Sequence, residues 1–122
     1  MIYKTDKEAQ AACVWWQKRL GLADWDVKVQ LSRGSKMDDC QGYVDYVINR
    51  KQALIQLLVP EDYRDDNGWT QDHERTLIHE LLHLHTVWWG NKADSDERRL
   101  EEQMIHLLAK AFVSMERGES DD

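Results

Sequence analysis

The chain has 122 residues and a mass of 14.4 kDa, enough for one domain with its own core and too little for two. Lys plus Arg number 16 against 23 for Asp plus Glu. The resulting net charge of −7 repels phosphate backbones, so nucleic-acid binding is not expected. The two cysteines, Cys13 and Cys40, exclude a disulfide framework and a cysteine-based zinc knuckle. The longest apolar run, Ala11 to Trp16, is too short to cross a bilayer, and residues 1–8 carry no signal core. The expectation is a cytoplasmic protein with reduced thiols and no membrane contact.

Thr5-Asp6-Lys7-Glu8 fits a capping box, and a helix is expected from Asp6 to Leu20, stopped by Gly21. From Asp24 to Ser32 apolar and polar residues alternate, with Trp25, Val27, Val29 and Leu31 on one side, which predicts a half-buried strand. Residues 32–41 read as a loop. Gly42 to Ile48 and Gln52 to Val59 read as two more strands, joined as a hairpin by Asn49-Arg50-Lys51. A polar loop from Pro60 to Trp69 ends at Asn67-Gly68. Thr70 is the expected cap of a second helix running to about Trp89, with Gly90 as its stop. A third helix starts at Asp94-Ser95-Asp96-Glu97 and runs to about Arg117. The order α-β-β-β-α-α predicts an α+β domain over residues 1–117, followed by an acidic flexible tail at 118–122.

The second helix contains His79-Glu80-Leu81-Leu82-His83, an HExxH motif. The i, i+4 spacing places both imidazoles on one face, one turn apart, close enough to share a metal ion. Glu80 lies ~100° around the helix, suited to a metal-held water rather than to coordination. With His79 at zero, His83 falls at ~40° and the leucines centre near ~200°, so the histidines point away from the leucine face. His85, at ~240°, is read as a buried or boundary histidine and not a ligand.

A catalytic zinc needs three protein ligands and an open position. No third histidine follows the motif, since Thr86 and Trp89 occupy the positions where HExxHxxGxxH would carry Gly and His. The third ligand is therefore expected on the next helix, from Glu97, Glu101 and Glu102. The inward side of that helix is taken to be the one carrying Leu100, Met104, Leu107, Leu108, Ala111 and Phe112, centred near ~60° from Leu100. Glu97 at ~60° and Glu101 at ~100° face inward, whereas Glu102 at ~200° aligns with His106 and Lys110. A first-turn acid such as Glu97 is already explained by capping and the helix dipole. An inward acid is costly unless paired or metal-bound, which selects Glu101; the alternative for it is an ion pair with Arg98.

Several stretches carry a family resemblance. They are Leu20 to Val27, an apolar strand ending near Val59, His79 to Leu84 with its HExxH, and the acid-rich helix Glu97 to Phe112. In these the chain resembles the small zincin-like metallopeptidases often encoded in phages and prophages. The resemblance implies a minimal zincin fold, Zn2+ held by His79 and His83, and a downstream glutamate ligand as in gluzincins. The aminopeptidase branch of gluzincins places 18 residues between the second histidine and that glutamate, which here selects Glu102. Helix phase selects Glu101, and Glu101 is the ligand expected. The resemblance also implies an extended peptide substrate bound at an edge strand, for which Gln52 to Val59 is the candidate.

The expected chemistry is zinc-assisted hydrolysis of a peptide bond in a protein or peptide substrate, with Glu80 as general base. Tyr63, His73 and Arg75 are candidates for an oxyanion partner, each equally readable as surface. The Trp15-Trp16 and Trp88-Trp89 pairs and Trp25 are read as core or boundary packing. Two other readings stand beside the peptidase. One is a regulatory protease similar to the ImmA/IrrE type. The other is a non-catalytic zincin-fold protein of phage origin that acts by binding a host protein.

Overall fold

The computed structural model describes residues 1–37, 40–64 and 68–119. The expected Asn67 turn position and the end of the acidic tail lie outside the described residues, as do two positions of the 32–41 loop. The architecture is α+β, with three α-helices and one three-stranded sheet among the described residues.

Helix α1 spans Asp6–Arg19. Thr5 accepts a hydrogen bond from the Glu8 amide at 3.1 Å, and the Glu8 carboxylate accepts from the Lys4 amide at 2.8 Å. The capping box thus reaches one residue further back than its standard form. The strands are β1 (Asp26–Ser32), β2 (Gly42–Val47) and β3 (Gln52–Leu58). The β2–β3 hairpin forms as expected, antiparallel, with Lys51 in the left-handed region at φ 50°.

The sheet order is β1-β3-β2, with β1 parallel to β3. This corrects one expectation. The Gln52 to Val59 segment forms the central strand, so neighbours on both sides consume its backbone groups and it cannot receive a substrate. Among the described residues, the open edge is β2. The other edge is covered, because Gln10 of α1 bonds both the Val27 carbonyl (2.8 Å) and the Val29 amide (2.9 Å), and Asp6 accepts from the Leu31 amide (2.8 Å). Side chains of α1 stand in for a fourth strand there.

Helix α2 spans His73–Thr86, and α3 spans Asp96–Arg117. The cap of α2 is Asp72 rather than Thr70: its carboxylate accepts from the Arg75 amide at 3.3 Å. The helix stops at Thr86, and Val87–Trp89 continue as a single 3-10 turn closed by Gly90 at φ 63°. Leu77, Ile78, Leu81, Leu82 and Leu84 join Val27, Val29, Ala53, Ile55 and Leu57 in one core. Arg117, in the last turn of α3, clamps the start of α2 with bonds to Asp72 (2.8 and 2.9 Å) and Glu74 (2.9 Å). The tail begins as part of the α3 cap, with Gly118 at φ 67° and the Glu119 amide donating to the Ser114 carbonyl at 2.9 Å.

Helix α3 buries a different face from the one expected. Glu101, Ile105, Ala109 and Val113 are buried, at i, i+4 spacing, while Leu100, Met104, Leu107 and Leu108 are exposed. The inward line is narrow, and it lies ~100–120° around the helix from the most apolar stripe. Small and β-branched residues along that line let α3 lie close on α2. Two expectations for side chains also fail: His85 is exposed, donating from Nε2 to the Leu20 carbonyl at 2.6 Å, and Trp88 and Trp89 are exposed. Trp16 packs in the core as expected. Among the described residues, no helix is long and apolar enough to cross a membrane.

Candidate metal centre

One helical turn separates His79 from His83, and their ring centroids lie 5.2 Å apart. One potential ligand atom from each of His79, Glu80 and His83 falls within 4.8 Å of the others. The leucine face of α2 is anchored in the core, so the histidine face turns toward α3. There a carboxylate meets it: Glu102 sits 3.3 Å from Nε2 of His79 through one oxygen and 3.1 Å from Nε2 of His83 through the other.

Glu101 occupies a different place. It is 4% exposed, and its carboxylate accepts from the Thr86 hydroxyl (2.7 Å) and the Asn91 amide (2.9 Å). Its nearest approach to His83 is 3.8 Å, at Nδ1 rather than at Nε2. It stands behind the imidazole while Glu102 stands in front. Glu101 points inward as expected, but the inward face lies elsewhere on the helix, and Glu102 is half-buried against the histidines rather than out in solvent. Glu97 is exposed and makes no approach to the histidines. Arg98 reaches both acids, at 3.4 Å from Glu101 and 3.3 Å from Glu102.

Electrostatics suit a cation. Burial lowers the pKa of both His79 and His83 against the pull of Glu102, favouring the neutral imidazole that ligates metal. Burial pushes the Glu80 carboxyl up to about 7, helped by the Glu102 charge and opposed by Arg98. For Glu101 burial opposes the charge, but hydrogen bonds from Thr86 and Asn91, with Arg98 and His83 nearby, hold its carboxyl below the usual range.

The site opens into a cavity of about 410 Å³ bounded by α2, α3 and the open strand β2, including Gly42, Tyr43, Val44 and Tyr46. Gly42 is where strand and helix nearly touch. A Cβ there would lie 2.3 Å from the Thr76 methyl and 3.3 Å from Glu80 Cγ, so only glycine lets β2 pass this close to the motif. The three oxyanion candidates lie elsewhere. His73 is buried between the Tyr3 amide and the Leu58 carbonyl, Tyr63 donates to the Trp69 carbonyl, and neither these nor Arg75 line the cavity. Thr86, Asn91 and Gly42 were not singled out from the sequence, and nothing in their local pattern distinguishes them.

No protein-family model, curated protein or solved structure matches the chain.

Proposed function

We propose that this chain is a zinc-dependent hydrolase of minimal zincin type that cleaves a peptide bond in a segment laid along β2. The observation that carries the reading is the convergence of two imidazole Nε2 atoms and the Glu102 carboxylate, with Glu80 beside them. Two neutral nitrogens and one carboxylate form the His₂Glu donor set of catalytic zinc sites, which leave a coordination position open. When bound, zinc supplies a Lewis acid and brings its water's pKa toward neutrality.

The residues divide the remaining work. His79, His83 and Glu102 would hold the ion. Glu80, with a carboxyl poised near 7, takes a proton from the attacking water and delivers it to the leaving amine. Glu101, fixed by Thr86 and Asn91, sets its charge 3.8 Å behind Nδ1 of His83, the place from which outer carboxylates steady metal-bound histidines. Among the described residues, strand β2 offers unpaired backbone groups beside the cavity, the docking mode open to an extended peptide.

The test is metal analysis and hydrolysis of a peptide library by the wild type, Glu80→Gln and His83→Ala. The reading expects one zinc per chain in the wild type and in Glu80→Gln, cleavage by the wild type alone, and zinc lost from His83→Ala. Protein that binds no zinc overturns the metal centre. Zinc-loaded wild type without cleavage of any library member overturns the peptidase.

A further inference from the structure

Helix α3 has a second apolar face that its own fold leaves bare. Leu100 is 65% exposed, Leu107 57% and Met115 76%, with Met104 and Leu108 also exposed. With Ala111 they form one continuous stripe along the helix, at spacings of four, three and four residues from Leu100 through Met104 and Leu107 to Ala111. That is the seam of a helix that packs on another helix. The five large side chains leave roughly 600 Å² of mainly apolar surface in water, at the top of the range for a monomer. Nothing among the described residues covers it.

We infer that this stripe is a dimer interface, in which α3 packs antiparallel on α3 of a second copy of the chain. Area is the first argument: a two-fold contact buries the same stripe twice, on the order of 1,200 Å², where specific interfaces begin. Charge order is the second. Glu97 lies in line with the stripe at its N-terminal end, and Lys110 flanks it toward the other end. Both are exposed, and neither has an ion-pair partner in its own chain among the described residues. An antiparallel pairing with Met104 level with Leu107 of the second copy brings each Glu97 within about one turn of the opposite Lys110. A parallel pairing sets Glu97 on Glu97 and Lys110 on Lys110. The helix is thus complementary to itself in one direction only. The exposed seam residues include none of the histidines or acids of the metal centre, so this inference stands apart from it.

The experiment is sedimentation equilibrium on the full chain across micromolar to sub-millimolar concentrations, with far-ultraviolet circular dichroism to confirm folding. The wild type is expected at twice the 14.4 kDa chain mass. Leu107→Glu and Leu100→Lys are expected at monomer mass with an unchanged helical signal, since both side chains are already exposed. Glu97→Lys weakens the dimer, and adding Lys110→Glu to it restores the association. A wild type that stays monomeric overturns the inference. So does a dimer that both stripe variants leave intact. A double exchange that fails to restore association overturns the antiparallel arrangement.

Discussion

Glu102 Oε1 lies 3.1 Å from Nε2 of His83, the nitrogen that faces away from Glu101. The two adjacent glutamates therefore address opposite edges of one imidazole. Their order of importance for metal binding follows. Glu102→Ala removes a proposed ligand and is expected to produce the largest loss in zinc affinity. Glu101→Ala leaves the ligands in place but frees the ring behind, and an outer-carboxylate loss costs about 10–100-fold. Glu97→Ala is expected to change nothing. Competition with a chromophoric chelator ranks the three, and a larger loss for Glu101→Ala than for Glu102→Ala would reverse the assignment.

Gly42→Ala is expected to destabilise the fold through contact with Thr76, by about 1–3 kcal/mol, as overpacking of a filled site does. Urea titration reads the loss. Because the same Cβ approaches Glu80, any hydrolytic activity should fall further than stability accounts for. Pairing it with Thr76→Ser, which removes the obstructing methyl, should recover much of the stability. No recovery would mean that the clash is not the cause.

The Arg117 clamp makes stability depend on acid. Burial disfavours the charged Asp72, but hydrogen bonds from Arg117 and the Arg75 amide outweigh it and hold its carboxyl below the ordinary value. A depressed folded pKa contributes stability that is complete above the unfolded value of about 3.9 and is lost as pH falls through the folded one. Asp72→Asn keeps an N-capping oxygen but not the charge. It should lower stability near neutral pH by about 1–3 kcal/mol, the scale of hydrogen bonds to charged groups. Its melting temperature should also fall less steeply than that of the wild type below pH ~4. Thermal melts over that range check both, and parallel curves for the two proteins would contradict the assignment.

Ile105 is the largest apolar side chain on the buried line of α3, at 1% exposure. Ile105→Ala is expected to cost about 2–5 kcal/mol, measured by chemical denaturation. A change near zero would mean that α3 packs by its Leu100–Leu107 stripe instead.

Much of this was legible locally. HExxH needs only the 3.6-residue period to bring two imidazoles together, and no distant residue alters that relation. The hairpin around Lys51 and the stops at Gly90 and Gly118 are equally local, because each rests on backbone conformations that few residues adopt. The strand order was not legible. Parallel pairing of β1 with β3 depends on which strands meet after the chain returns, and it turned the expected substrate edge into the sheet's middle.

Which of two adjacent acids meets the histidines shows where local information stops. One residue along α3 is ~100° of rotation, so the choice between Glu101 and Glu102 depends wholly on which face of the helix turns inward. Hydrophobicity pointed to the Leu100–Leu107 stripe, because apolar content was the only guide to burial available in the chain alone. Packing selected the narrower Ile105–Ala109–Val113 line, where close contact with α2 and the acids beside its histidines are both accommodated. The amino-acid sequence determined that two imidazoles and a carboxylate share one helix turn. Only the docking of α3 on α2 decided which acid meets them, and it left the most apolar stripe of the chain facing water.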